Sequence, residues 1–120
     1  MVKVLIVDDA PEVRMLVGRF LTVKGFDVIE AKDGIRGLAA ALAERPDVVL
    51  MDLNMPVMDG FRATCQFRAH PELAGVTIIA LTAEDDAASR EAIFEAGCDA
   101  FVRKPIDFEQ LLGKLTPGED

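Results

Sequence analysis

Short apolar runs alternate with segments of helical periodicity along the whole chain, and that rhythm restricts the fold more than any single residue does. Val4-Leu5-Ile6-Val7 and Val48 to Met51 are unbroken apolar runs, as strands covered on both faces must be. Phe26 to Ala31 is more polar and so belongs nearer an edge. Val76 to Leu81 and Ala100 to Val102 complete five predicted strands.

Between the strands the apolar period lengthens. Val13, Leu16, Val17, Phe20 and Leu21 recur at the spacing of one helix face, and Gly25 fits the stop after them. Asp33 is placed to cap a second helix with the stripe Ile35, Leu38, Ala39 and Leu42, closed by Pro46. A third helix is expected from near Asp59, with Phe61 and Cys65 on one face and an end before Pro71. A fourth spans about Asp86 to Ala96 and stops at Gly97. Asp107 with Gln110 resembles a capping box, opening a fifth helix that turns Phe108, Leu111, Leu112 and Leu115 inward. Thr116 to Asp120 reads as a loose tail.

Strict alternation of this kind requires right-handed crossovers, hence a parallel sheet with helices on both faces. Five units in 120 residues are too few for an eight-stranded barrel, which needs about 250. The predicted fold is α/β: a doubly wound, five-stranded parallel sheet of the flavodoxin-like (βα)5 kind, in one domain over residues 1–120.

Charge and composition then exclude several roles. The net charge is −8, Lys and Arg are scattered, and neither Trp nor Tyr occurs, so no direct nucleic-acid partner is expected. The first apolar run stops at Asp8-Asp9, too early for a signal peptide. No later run approaches the roughly 18 residues of a membrane span. A cytoplasmic protein without a membrane partner is expected. Cys65, Cys98 and a single His do not make a zinc site, and both cysteines are expected to be reduced, partly buried thiols.

In open α/β sheets the site lies beyond the carboxyl ends of the strands, where strand order reverses. The first strand ends in Asp8-Asp9, the third in Asp52 and the fourth in Thr82, and Lys104-Pro105 follow the fifth. Taken singly these residues read as turn chemistry, a strand cap, β-propensity and a surface charge. In the order 2-1-3-4-5, however, three carboxylates share one crevice with a hydroxyl and an ammonium. Two unit charges about 4 Å apart repel by about 4 kcal/mol at an effective dielectric of 20. Protons, the lysine or a metal must offset that cost, and a hard cation such as Mg²⁺ suits oxygen ligands. With such help an ionised aspartate can attack a phosphoryl group.

The stretches VLIVDDAPEVR, VVLMDLNMPVMDGF, IIALTAEDD and AGCDAFVRKPID, in this order, make residues 2 to 115 resemble the receiver domain of two-component response regulators. The 2-1-3-4-5 order is partly a consequence of that resemblance. The resemblance implies Asp52 as phosphoacceptor and Mg²⁺ as cofactor. It makes Asp9 a direct metal ligand, Asp8 a ligand through water, and the Asn54 backbone carbonyl a further one. It makes Thr82 the switch hydroxyl, Lys104 the ion-pair partner of the phosphate, and Pro105 the second residue of a cis peptide. Pro56 and Gly60 would shape the loop after Asp52, and Asn54 and Glu84 would tune phosphate lifetime. The switch aromatic, often Tyr in the family, is here Phe101, which can signal only by burial, with Ala83 leaving it room. A histidine kinase or histidine phosphotransferase is the implied donor. The implied reader is a downstream protein at the face of helix 4, strand 5 and helix 5.

Two other readings use the same residues. A haloacid dehalogenase-type phosphohydrolase also has an aspartyl nucleophile. The place of its general acid is here Asn54, however, and an amide cannot donate that proton. A receiver fold that docks partners unphosphorylated usually lacks an acidic residue or the lysine, and all are present. With only a short tail after the fifth helix, no output domain is expected. The initial Met favours a free-standing protein, although HPELAGVTIIALTA also suits receivers fused to hybrid kinases.

Overall fold

A computed structural model describes residues 1–55, 59–83 and 86–115. Among them, β1 (Lys3–Val7), α1 (Pro11–Val23), β2 (Asp27–Ala31), α2 (Gly34–Glu44) and β3 (Val48–Asp52) form the first half. α3 (Gly60–Ala69), a 3-10 turn at Pro71–Leu73, β4 (Thr77–Thr82), α4 (Ala87–Ala96), β5 (Ala100–Arg103) and α5 (Phe108–Leu115) form the second. The strands make one parallel sheet in the order β2-β1-β3-β4-β5. The predicted doubly wound sheet is therefore the one observed, and the more polar second strand does lie at an edge. None of the described helices is long and apolar enough to cross a membrane.

Alternation along the strands divides the core in two. Leu5, Val7, Val49, Met51, Ile78 and Ala80 meet α2, α3 and α4 on one face. Val4, Ile6, Val48, Leu50, Ile79 and Leu81 meet α1 and α5 on the other. Central strands buried on both faces explain why their sequences are apolar without a break.

Capping follows the predicted residues closely. Asp33 accepts from the Arg36 N–H, Asp59 from that of Arg62 and Asp86 from that of Ser89. Asp107 accepts from the backbone of Glu109 and Gln110. Gly25 and Gly97 take positive φ after α1 and α4.

The inward faces of three helices differ in part from those expected. Leu16 is 56% exposed and Ile35 is 59% exposed, Ala39 is open to solvent, and Cys65 lies on the surface. Val17 and Leu21 of α1 are buried as expected, and Leu38 and Leu42 of α2 and Phe61 of α3 pack partly buried against the core. The rest of the buried rows are Gly18 of α1, Gly34, Gly37 and Ala41 of α2, and Gly60, Ala63, Thr64 and Phe67 of α3. The cause is close approach of helix to sheet. A Cβ on Gly37 would stand 2.8 Å from Val7 Cγ2. A larger residue at that point would push α2 off the strands, so glycine and alanine take the most buried row of that helix. Of the two cysteines only Cys98 is buried, with Sγ 3.7 Å from Thr64 Oγ1, and burial pushes its thiol pKa up.

Candidate functional site

Asp8, Asp52 and Thr82 lie where β1, β3 and β4 end, and Lys104 follows β5 directly. Parallel pairing aligns these ends. Asp52 is opposite Leu81, so Thr82 is one residue beyond it, and Thr82 is opposite Arg103, so Lys104 is the next residue out. Asp8, Asp52 and Thr82 are buried at 0, 1 and 2% exposure, whereas Asp9 is exposed. One oxygen from each of Asp8, Asp9 and Asp52 lies within 4.8 Å of the others.

Lys104 Nζ donates to Asp52 Oδ1 at 3.1 Å and to Asp8 Oδ2 at 3.3 Å, bridging the two buried carboxylates. The main chain adds further contacts. The Asn54 N–H donates to Asp52 Oδ1 at 3.0 Å and the Ala10 N–H to Asp8 Oδ1 at 2.9 Å. The Lys104 N–H donates to the Thr82 carbonyl at 2.7 Å, tying the lysine's backbone to the end of β4. The Lys104–Pro105 peptide is cis.

The crevice therefore carries an excess of negative charge, which titration directions reflect. Burial, with the Asp52 charge adding to it, raises the Asp8 pKa despite the Ala10 hydrogen bond and Lys104. Burial alone would lower the Lys104 pKa. Its hydrogen bond to Asp52 and the charges of Asp8 and Asp52 outweigh that and raise it. A site that holds one cation tightly and resists a further anion is suited to a second cation. Its donors are all hard carboxylate oxygens, the set that Mg²⁺ takes, and exposed Asp9 leaves a side open to solvent.

The family model described as the response regulator receiver domain matches residues 4–116. The chain belongs to that family. Receiver domains are signalling switches of two-component systems rather than enzymes that turn over a substrate. This receiver is 37% identical to Protein PilH of Pseudomonas aeruginosa over 97% of this chain and 96% of that protein. It is 35% identical to the DNA-binding dual master transcriptional regulator RpaA of Synechocystis, covering 96% of this chain but 48% of RpaA. The chain thus spans about half the length of several curated relatives that it matches. The chemotaxis protein CheY4 of Vibrio cholerae superposes with a TM-score of 0.92 at 36% identity, over 96% of both chains. The receiver domain of sensor histidine kinase PA1611 from Pseudomonas aeruginosa, described with magnesium coordinated in its active site cleft, superposes with a TM-score of 0.86. It is 34% identical, over 94% of this chain and 93% of that one.

The remaining expected residues of this receiver divide into two groups. Asn54 is exposed two residues past Asp52, and Gly60 starts α3 against the end of β3. A Cβ on Gly60 would overlap the Asp52 carbonyl oxygen and stand 2.6 Å from Leu53 Cα, so only glycine lets α3 begin there. Pro56 and Glu84 lie outside the described residues. Phe101 is half-buried and pairs with Ala80, and its ring meets α4 rather than the carboxylates. Ala83 is exposed. Sequence reasoning missed Arg14, whose guanidinium donates to the Asp8 carbonyl from α1 and lies 3.4 Å from Glu30. It also missed Arg90 and Phe94, whose only signal is their i, i+4 spacing on α4.

Proposed function

We propose that this receiver is a phosphorylation switch in which Asp52 accepts a phosphoryl group from a histidine kinase or histidine phosphotransferase. The observation that carries this reading is the Lys104 bridge between buried Asp8 and Asp52, beside the exposed Asp9 carboxylate. Asp9 and Asp52 would hold Mg²⁺ with the Asn54 carbonyl, and Asp8 would hold it through water. Bound there, the ion supplies positive charge against the transferring oxygens.

Asp52 acts as an ionised nucleophile and needs no base. One carboxylate oxygen forms the new bond to phosphorus as the bond to the donor imidazole nitrogen breaks, and the imidazole leaves with the electron pair. The added group brings about −1.5 to −2 charge and three acceptor oxygens. Lys104 Nζ, already on Asp52 Oδ1, shifts to a phosphoryl oxygen, and the Thr82 hydroxyl bonds another. Drawing Thr82 inward makes room beside Ala83 for Phe101 to turn, which alters the α4-β5-α5 face that a downstream protein reads. The same crevice assists loss of the phosphoryl group to water, and Asn54 stands where it can tune that step. Cytoplasmic location fits both donors and readers.

Incubated with Mg²⁺ and acetyl phosphate, the protein should gain one base-labile phosphoryl group by intact-mass spectrometry, and Asp52→Asn should gain none. Equal uptake by Asp52→Asn would overturn the assignment.

A further inference from the structure

The position of Phe101 is set by α4. The Arg90 guanidinium carbon lies 5.7 Å from the Phe101 ring centroid, and the Phe94 ring meets it edge-on, at 6.3 Å and 72°. Arg90 and Phe94 are one turn apart, so they present neighbouring side chains to the same ring. Phe94 is 48% exposed, so its ring can reach that of Phe101 at the protein surface. Phe101 has no hydroxyl, so no hydrogen bond can fix its ring. Packing and these two electrostatic contacts must do so.

We propose that Arg90 and Phe94 are positioning residues for Phe101, clamping its ring in the conformer seen here, so that activation at Asp52 must break the clamp. The proposal rests on the phosphoacceptor reading above and names the regulation of that site. A cation over a ring face and a ring edge against it both depend on ring direction, and a change of χ1 well forfeits both. The helix that carries the clamp is itself held: Arg68 Nε donates to the Gly97 carbonyl at 2.9 Å, anchoring the C-terminal end of α4. A contact made in one conformer only biases the equilibrium toward it, and a ligand that needs the other conformer binds more weakly in proportion.

The test follows Phe101 ring resonances by NMR with and without beryllofluoride and Mg²⁺, in the full chain and in Arg90→Ala, Arg90→Lys and Phe94→Ala. Without beryllofluoride the wild-type ring should show nuclear Overhauser contacts to Arg90 and Phe94. In Arg90→Ala and Phe94→Ala its resonances should move toward those of the complex, with beryllofluoride binding about two- to fivefold tighter. Arg90→Lys, which keeps the cation, should stay near wild type. Unchanged ring resonances and affinity in Arg90→Ala and Phe94→Ala, with wild type binding normally, overturn the clamp alone. Arg90→Lys behaving like Arg90→Ala overturns the role of the cation. A wild type that does not bind beryllofluoride overturns the Asp52 reading, and the clamp with it.

Discussion

At the entry to β4 and β5, Arg68 donates to the carbonyls of Leu73, Ala74, Val76 and Gly97 and to Asp99 Oδ2, at 2.8 to 3.4 Å. At the exit from β5, Lys104 reaches two buried carboxylates at 3.1 and 3.3 Å, with a third close by. Both are cations joining segments distant in sequence. Arg68 meets acceptors that are chiefly neutral, together with a single carboxylate, so its charge and its donors are both answered. Lys104 is one charge against three. The first arrangement can only hold the fold. The second leaves an electrostatic demand that a metal ion can meet, at some cost to the stability of the free protein.

Arg68→Ala should produce the largest effect. It removes the donor to several carbonyls and the ion pair of half-exposed Asp99, which keeps the Ile78 N–H, and denaturant unfolding should show a loss of about 2–4 kcal/mol. Phosphorylation of the folded protein at low temperature should persist. An unchanged stability would mean that water replaces the guanidinium, and the contrast between the two ends would fail.

Lys104→Met should come next, costing about 2 kcal/mol because Asp8 and Asp52 stay buried without their counter-charge. Added Mg²⁺ should raise its melting temperature more than it raises that of wild type. Equal shifts would show that lysine and metal answer different charges.

Asp8→Asn should stabilise the metal-free protein by about 1 kcal/mol near neutral pH, since it removes a fully buried charge while keeping an acceptor for Ala10. The folded-state pKa of Asp8 is raised above 3.8, so its favourable contribution is present below that value and is lost as pH rises through the folded pKa. The advantage of Asp8→Asn should therefore be greatest above the folded pKa and vanish as pH falls toward 3.8. A lower melting temperature at neutral pH would show that the carboxylates are not crowded.

Asp33→Ala provides the opposite sign and the smallest effect outside strongly acidic solution. The Asp33 carboxylate accepts the Arg36 N–H, which with the Arg36 side chain lowers its pKa below 3.8. Its contribution of about 1 kcal/mol is present above 3.8 and lost as pH falls through the lower, folded value. Melting curves of Asp33→Ala and wild type should converge only in that acid range. A gap independent of pH would assign the cap to the backbone rather than to the charge.

Element type and order, the polar edge strand, and the caps at Asp33, Asp59, Asp86 and Asp107 were legible because each depends on residues within a few positions. So was the gathering of Asp8, Asp9, Asp52 and Lys104, because a parallel sheet places all strand ends of one polarity along one edge. The inward face of α2 was legible only in part, since Leu38 and Leu42 pack against the core but Ile35 does not. Ile35 outranks Gly37 on any hydropathy scale, yet the distance between helix and sheet favours the residue with no side chain. Likewise the exposure of Cys65 follows from Ala63, Thr64 and Phe67 taking the buried row.

Local pattern thus determined the secondary structure of this receiver, and topology extended that to the placement of its acidic residues. Tertiary structure alone decided which acid would be solvent-facing, that Lys104 would bridge Asp8 from 96 residues away, and that Arg68 and Arg90 would serve Gly97 and Phe101. The physical reason is range. Hydrogen-bonded turns and apolar periodicity act over a few residues, whereas close packing and buried charge respond only to neighbours that the completed fold brings together.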